Sequence, residues 1–360
     1  MSENNARIRI TDIAKRARVS SGTVDRVIHN RGEVSAQTRE RVLAIIRELN
    51  YEPDILASTL ASKKTFLFAS IIPKAAGNND FWSVPENGMD KGLEQVKHFG
   101  VTHQKFTFDY FDRESFKKAA TKLLKAKPDG IIVAPVFADL AEAFISQCSD
   151  SQIPAIFVNA NIFNLPKLSF VGQDSFRSGM VAARLLDYGL PANSKLFVIN
   201  IMNERGTNTH LLSREEGFRK YFSDMAESRK QIKTINIMGN NLQKVYETLG
   251  EHIVQGKKPF RFGGIFVTNS RVFLVAEFLK NMHIKSFRLV GYDLLDTNIL
   301  HLQEGIIDFL ISQKPFEQGY KSFMTLFDHV VMKRSIPTYQ YLPIDIITRE
   351  NIDYYMGQHQ

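Results

Sequence analysis

The hydrophobic pattern of the chain from residue 65 onward alternates between two kinds of segment. Short apolar runs such as Leu67–Ile72 predict buried strands, and longer stretches with apolar positions three and four apart predict helices. The predicted strands span 67–72, 101–110, 129–134, 154–159, 195–201, 231–237, 263–268 and 287–292, and the predicted helices span 85–98, 113–127, 139–150, 174–188, 211–223, 242–256 and 271–282. Because βαβ crossovers build parallel sheets, this alternation predicts an α/β body of two doubly wound lobes that bind a ligand at the carboxyl ends of their strands.

The first 50 residues show a different pattern, that of three short helices. These predicted helices span 11–18, from 20 or 21 to about 29, and from 35 to about 50, with N-caps at Thr11, at Ser20 or Ser21, and at Ser35. A tight turn between the first two helices is typical of a helix-turn-helix domain. The outward face of the second helix then holds Ser21, Gly22, Asp25, Arg26 and His29. The same spacing also fits a small helical bundle with a solvated basic face.

Composition and charge narrow the class of protein. A chain of 360 residues suggests two or three domains, and a hydrophobic fraction of 44% with 23% charged residues is typical of a soluble globular protein. No apolar run approaches the roughly 18 residues of a membrane span, no secretory signal precedes residue 30, and the single cysteine, Cys148, fits a reducing compartment. We therefore expect a cytoplasmic protein without a membrane partner. Half of the net charge of +8 falls within the first 64 residues, which favours a polyanion as the partner of that segment.

The first 60 residues carry a set of motifs at specific positions. They are Thr11-Asp-Ile-Ala14, Val19-Ser20, Thr23-Val24, Arg26-Val27, Val34-Ser35, Thr38-Arg39 and Val42, followed by Tyr51-x-Pro53, Ala57 and Leu60. This set resembles the lactose-repressor (LacI/GalR) family of bacterial transcription factors, in which the last three motifs stand in the hinge. Later, Arg214-x-x-Gly217-Phe218 and Val290-Gly-Tyr-Asp293 match the family's ligand-binding body, which is similar to periplasmic sugar-binding proteins. The resemblance covers nearly the whole chain.

The resemblance implies a division of the chain into three parts. Residues 1–52 would form the helix-turn-helix DNA-binding domain, 53–64 the hinge helix and linker, and 65–360 the effector-binding and dimerisation domain. Within that body, lobe one would comprise about 65–164 and 294–325, and lobe two about 165–293 and 326–360. The expected assembly is a homodimer on a palindromic double-stranded DNA operator.

The same resemblance assigns roles in DNA reading. The second helix would lie in the major groove, where Arg26 pairs with the O6 and N7 atoms of a guanine. Ser21 and Gly22 occupy the positions that the family varies to choose its operator, and both are too small to read bases well. Thr23, His29 and Thr38 would contact phosphates, which fixes position and not sequence. Asp25 departs from the family's usual serine, and its carboxylate would either accept from a cytosine amino group or point away from the bases.

The hinge would read DNA through its shape. Residues 55–60 are too few for a stable isolated helix, so the resemblance implies a helix that forms when two copies meet over DNA. Leu60 matches the leucine that the family inserts into the minor groove, and Ala57 is small enough for two hinge helices to approach. Leu60 could also be an ordinary buried linker residue. The wedge predicts a flexible pyrimidine–purine step at the centre of the operator.

The body would bind a small-molecule effector, a sugar or sugar derivative, between its lobes. Asn79, Phe81 and Trp82 follow the first strand, and a flat indole suits the C–H face of a sugar ring, although the aromatic pair could equally cap the core. The expected polar ligands are Asn159, Asn269, Asp293 and Gln313 at strand ends and Arg214 on a helix, since amides and carboxylates pair with hydroxyl groups. Each of these could instead make a structural hydrogen bond. Asn159 and Ala160 stand where relatives often carry an acid and an arginine, which leaves the sugar open, including an acidic or phosphorylated one.

Together these features predict a sequence-specific transcriptional regulator of carbohydrate-use genes, of the repressor type, controlled by a sugar between two lobes. The alternative is a sugar-binding sensor without specific operator binding. The chain contains no G-x-G-x-x-G, H-E-x-x-H or cysteine metal cluster, so we expect no catalytic residues, no cofactor and no metal.

Overall fold

The computed structural model describes most of the chain, and the chain divides into two compact units, residues 1–63 and 64–360, which we call the head and the body. The described residues are 8–28, 31–49, 51, 64–75, 77, 80–202, 209–225, 230–239, 242–255, 258–259 and 262–356. None of the helices within these ranges is both long and apolar enough to cross a bilayer.

The head is a three-helix cluster. Its helices are α1 (Ile10–Ala17), α2 (Ser21–Ile28) and α3 (Ala36–Glu48). Their inward faces form one small core, which consists of Ile13, Ala14, Ala17, Val24, Val27, Val42 and Ile45. These positions recur three and four apart on each helix, so the hydrophobic period that predicted the helices is also what packs them together.

The helix starts in the head differ in one case from the prediction. The first helix begins at Ile10 and not after Thr11, because the Asp12 carboxylate accepts the backbone N–H of Arg9 at 2.9 Å and closes the first turn one residue earlier. For α2 the cap is Ser20, whose Oγ accepts from the Thr23 N–H at 3.1 Å. Ser35 caps α3 in the same way, as the sequence predicted.

The body alternates strands and helices throughout, which confirms the α/β prediction. In chain order its elements are β1 (Phe66–Pro73), α4 (Ser83–Val96), a 3-10 turn (Lys97–Phe99), β2 (Val101–Phe108), α5 (Arg113–Ala126), β3 (Gly130–Val133), α6 (Ala138–Asp150), β4 (Ala155–Val158), β5 (Ser169–Gly172), α7 (Ser175–Tyr188), β6 (Lys195–Met202), α8 (Thr209–Ser223), β7 (Gln231–Met238), α9 (Leu242–Ile253), β8 (Val254–Gln255), β9 (Lys258–Pro259), β10 (Gly263–Val267), α10 (Val272–Asn281), β11 (Phe287–Tyr292), α11 (Asp296–Gln303), β12 (Phe309–Ser312), α12 (Pro315–Val330), β13 (Tyr339–Tyr341), β14 (Asp345–Ile347) and α13 (Asp353–Met356).

Two six-stranded sheets organise the body into two lobes. Lobe one is built on the sheet β13-β5-β4-β3-β1-β2, whose described pairings are all parallel. Lobe two is built on β14-β12-β11-β10-β6-β7, in which β14 pairs antiparallel with β12. In lobe two, alternate residues of β6 enter separate core clusters: Phe197 and Ile199 belong to one and Leu196 and Val198 to the other. Since successive strand residues point to opposite faces, helices cover both faces of this sheet.

The chain passes between the lobes three times, at places that differ from the prediction. The first passage follows β5, the second follows β12 and the third follows β13. The sequence instead predicted that the first segment of lobe one ends at about 164 and that its second segment runs from about 294 to 325. The last of these boundaries falls inside α12, which packs as one continuous helix on lobe one, and 294–312 belongs to lobe two because β12 pairs with β11.

Candidate functional site

The carboxyl ends of the strands in both lobes open onto one cleft. The strand order reverses beside the first strand of each lobe, so that β2 and β3 flank β1, and β7 and β10 flank β6. Doubly wound sheets bind ligands at such switch points, because the loops there diverge and leave a crevice. A cavity of about 630 Å³, lined by residues of both lobes, lies in the cleft. That volume is ample for a monosaccharide or a somewhat larger ligand.

An aromatic pair forms one wall of the cavity. Phe81 and Trp82 lie between β1 and α4, both line the cavity, and both are more than 90% buried in the core of lobe one. Their ring centroids are 5.1 Å apart and nearly perpendicular, and the Asp80 carboxylate accepts the Trp82 backbone N–H at 2.9 Å. The pair caps the core of lobe one and presents aromatic surface to the cleft, and its contact with a sugar stays a prediction.

Four of the predicted polar residues form one buried hydrogen-bonded array, centred on Gln313. The Asn159 amide donates to Gln313 Oε1 at 3.2 Å, and Gln313 Nε2 donates to Asp293 Oδ2 at 2.6 Å. Arg214 Nη2 also donates to Gln313 Oε1. The array joins the end of β4 in lobe one to the ends of β11 and β12 in lobe two. We call it the Gln313 array.

Arg214 reaches the array because two helices cross at glycines. A Cβ atom on Gly217 of α8 would lie 1.9 Å from the Phe176 carbonyl oxygen, and one on Gly179 of α7 would lie 1.9 Å from the Arg214 carbonyl oxygen. Only glycine permits this approach, which holds α8 so that Arg214 is 1% exposed. Its Nη1 donates to the Thr268 carbonyl oxygen at 2.6 Å.

The electrostatics of the Gln313 array are set by burial. Burial raises the pKa of the Asp293 carboxyl from 3.8 to about 6, although the positive charge of Arg214 and the hydrogen bonds from Gln313 oppose that rise. The Arg214 guanidinium carbon lies 3.8 Å from the ring centroid of Tyr292, an arrangement in which the ring stabilises the buried cation. Asp293 is not among the residues that line the cavity, and it acts on the cleft through Gln313.

The fifth predicted polar residue, Asn269, lines the cavity apart from the Gln313 array. Its Nδ2 donates to the Ile201 carbonyl oxygen at 2.7 Å, and its Oδ1 accepts from the Arg271 backbone N–H at 3.2 Å. Asn269 thus ties the end of β10 to β6. Asn79, the remaining predicted effector ligand, lies outside the described residues.

Several residues that line the cavity were not predicted from the sequence. Tyr110 and Phe111 follow β2, Arg271 follows β10, and His210 lies in the first turn of α8. The signal that could have found the first three is the strand-end rule itself, because each stands within four residues of a strand's carboxyl end. His210 had no such signal. Among the described residues, no group of three or more His, Cys, Asp or Glu side chains is arranged to hold a metal ion.

The head presents a polar helix face. Ser21, Gly22 and Arg26 of α2 are exposed, while Thr23 and Asp25 are half-buried. Thr23 and Thr38 stand in the first turns of α2 and α3, and each hydroxyl pairs with the capping serine at 3.0 and 2.9 Å respectively. Helix N-termini of this kind favour phosphate. The other predicted DNA-binding residues, His29, Ala57 and Leu60, lie outside the described residues.

Comparisons with known proteins agree with this architecture. Residues 68–334 match the periplasmic binding protein domain, and residues 9–54 match the lacI family of bacterial regulatory proteins. Catabolite control protein A of Staphylococcus aureus is 31% identical over 154 residues, which are 43% of this chain and 44% of that protein. The chain thus matches less than half the length of that relative.

Solved structures match the body more completely. A protein from Bacteroides fragilis, provisionally described as a LacI transcriptional regulator, has a TM-score of 0.73 and 30% identity over 81% of this chain and 100% of that one. GanP, a glucose-galactose binding protein from Geobacillus stearothermophilus, has a TM-score of 0.70 at 19% identity over 80% and 99% of the two chains, a likeness of fold alone. The resemblance found in the sequence is therefore confirmed: the chain belongs to the lacI family of bacterial regulatory proteins and has a body of the periplasmic binding protein fold.

Proposed function

We propose that this protein is a transcriptional regulator that binds a sugar or sugar derivative in the cleft of its body and a specific DNA operator through its head. The observation that carries the proposal is the Gln313 array facing a cavity beside an aromatic wall, in a chain of the lacI family. Amide and guanidinium groups at fixed positions suit a ring of hydroxyls, and Trp82 suits the apolar face of a sugar.

The control of DNA binding in this proposal is a shift between lobe arrangements. The Gln173 amide, at the end of β5, donates to the carbonyl oxygens of Ser312 and Pro343 at 3.0 and 3.1 Å. One side chain thus ties together all three passages between the lobes. Around such a tether, a ligand that contacts both lobes favours a closed arrangement, and a coupling of about 1–3 kcal/mol is enough to change operator occupancy.

The DNA-reading half of the proposal rests on Arg26 and on the hinge. Arg26 is exposed on α2 and has the planar donor fork that pairs with guanine. Its exposed neighbours Ser21 and Gly22 offer little direct readout, so we propose that a homodimer on a palindromic operator adds specificity through Leu60 and DNA deformability. The proposed division is a DNA-binding domain at 1–52, a hinge at 53–64 and an effector-binding body from 65 onward.

Operator binding can be tested by selecting duplexes from a random pool and titrating the winners by fluorescence anisotropy. Arg26→Ala should weaken binding to the selected operator by about 10–100-fold and relax preference at one base pair, because a bidentate guanine contact is worth about 1–3 kcal/mol. Arg41→Ala is the matched control, since it removes the same charge from an exposed position on α3. Sequence-independent binding of the wild type at every salt concentration would favour a sugar sensor without an operator and refute the regulator.

The effector half is tested on the same operator complex with a panel of pentoses, hexoses and their acidic and phosphorylated derivatives. A ligand that changes the operator affinity of the wild type should not change the operator affinity of the Asp293→Ala variant, because this variant lacks the carboxylate that orients Gln313. Operator affinity without ligand should be retained in that variant. A normal ligand response of the variant would contradict the proposed role of the array.

A further inference from the structure

The cleft is also lined by an arginine, Arg271, that does not belong to the Gln313 array. Arg271 lies in lobe two, between β10 and α10, and its guanidinium carbon is 5.0 Å from the ring centroid of Tyr110 and 5.3 Å from that of Phe111. Both rings follow β2 in lobe one, and all three residues line the cavity. The contact therefore joins lobe two to lobe one across the cleft.

The guanidinium of Arg271 retains capacity to bind an anion in this position. A guanidinium that lies over aromatic rings contacts them with its face, whereas its five N–H donors lie in its plane. None of the ion pairs formed by described residues includes Arg271. Planar donors of this kind match the two oxygens of a carboxylate or phosphate.

Two buried nitrogen atoms of residues that line the same cavity have no hydrogen-bond partner among the described atoms. They are His210 Nδ1 and Arg214 Nε. The positive charges of Arg214 and Arg271 add to burial in lowering the pKa of His210 to about 3, so the imidazole is neutral at physiological pH. Arg214 and Arg271 therefore both lie near His210, whose buried Nδ1 is available to a ligand in the cavity.

The carboxylates that line the cavity, Asp80 and Asp109, lie in lobe one, and each accepts a hydrogen bond from the backbone of its own turn. Asp80 accepts the backbone N–H of Trp82 at 2.9 Å, and Asp109 accepts that of Phe111 at 2.7 Å, each within its own turn. The third cation of the lining, Lys74, is exposed at the end of β1. Arg271 also precedes a ten-residue helix, α10, whose N-terminal N–H groups add to the positive potential.

We infer that the effector is an anionic sugar derivative, whose carboxylate or phosphate binds the N–H edge of Arg271 while its hydroxyl groups bind the Gln313 array. This inference rests on the proposed function, because it requires that a sugar derivative occupy the cleft. The bound anion would hold Arg271 against Tyr110 and Phe111, so the charge of the ligand would strengthen a contact between the lobes.

Matched ligands test the inference by isothermal titration calorimetry on the full-length protein. The panel pairs neutral pentoses and hexoses with the derivatives that differ by one group, for example D-glucose with D-glucuronate and with D-glucose 6-phosphate. We expect one acid or phosphate to bind at least tenfold more tightly than its neutral partner, and to weaken as ionic strength rises. The uronate and phosphate arms identify which anion the site takes.

Variants connect the preference to the residue. Arg271→Gln should reduce binding of the preferred anion at least tenfold and leave the neutral partner within twofold, and Arg271→Lys should retain part of the preference. Arg349→Gln, which removes an exposed charge paired with Glu350, should change neither. Thermal unfolding of each variant checks that the fold is intact.

The outcomes separate this inference from the proposed function. If neutral sugars bind as tightly as their acids and phosphates, or if Arg271→Gln leaves the ratio unchanged, the anionic effector is wrong while the sugar-responsive regulator stands. If no member of the panel binds, both are wrong.

Discussion

The crossing of α7 and α8 offers the sharpest test of how the fold positions the effector site. Gly217→Ala adds one methyl group, which would lie 1.9 Å from the Phe176 carbonyl oxygen, about 1.5 Å closer than an ordinary contact of 3.4 Å. A backbone oxygen cannot rotate away as a flexible side chain can. The two helices must therefore separate by more than an ångström. Because Arg214 lies one turn before Gly217, it moves with α8.

The expected cost follows from this geometry. Overpacking a tight contact costs about 1–3 kcal/mol, and a clash between backbones belongs at the upper end, near 3 kcal/mol. Gly250 in α9 is the matched control, since a Cβ atom there meets nothing within 4 Å. Gly250→Ala should gain about 0.5–1 kcal/mol from helix propensity. Both substitutions share this gain, so the two variants should differ by the packing cost of roughly 3 kcal/mol, or about 6 °C in melting temperature for a body of this size.

Differential scanning calorimetry of the full-length variants measures the difference. Effector binding, once a ligand is found, should fall in Gly217→Ala, because a shift of α8 displaces Arg214 from its partners Thr268 and Gln313. Gly250→Ala should bind normally. Equal melting temperatures for the two variants would refute the argument that the glycine contact holds α8 in place.

Three further predictions concern single side chains. The Asp293 carboxyl has a pKa of 3.8 in the unfolded chain and of about 6 in the fold, so its stabilising contribution is complete below pH 3.8 and is lost as the pH rises through 6. The free energy of unfolding of the wild type relative to that of Asp293→Asn should therefore fall by about 3 kcal/mol over that range. A constant difference would exclude the raised pKa. Trp82→Leu should weaken effector binding at least tenfold in calorimetry and cost about 1–3 kcal/mol of stability, since leucine is smaller than the buried indole and has no flat face; unchanged affinity would assign Trp82 to the core alone. Burial raises the pKa of the Cys148 thiol to about 12, so a thiol reagent should leave the native protein unmodified at pH 8 and label it after denaturation, and rapid native labelling would contradict this.

The sequence by itself determined the class of fold, the head and most of the cleft. The hydrophobic periods of strands and helices are local properties of the sequence, so they can be read without the tertiary contacts. The three predicted head helices and the eight predicted body strands all occur in the structure. Because parallel strands end at one edge of a sheet, residues at the ends of predicted strands, such as Asn159 and Asn269, could be assigned to one cleft. The family resemblance supplied the expected partners, a DNA operator and a sugar or sugar derivative.

Only the tertiary structure decided how those residues are connected. The Asn159–Gln313 hydrogen bond joins positions 154 residues apart, and the contact of Arg271 with Tyr110 joins two lobes. The passages between lobes also escaped the pattern, because the strands that precede the first two of them, β5 and β12, were not among the predicted strands. A hydrophobic period reports which face of an element is buried, whereas the pairing of polar groups depends on how two separately folded lobes meet. That geometry is set by contacts between segments distant in sequence, such as the hydrogen bond from Asn159 to Gln313, and not by any local pattern.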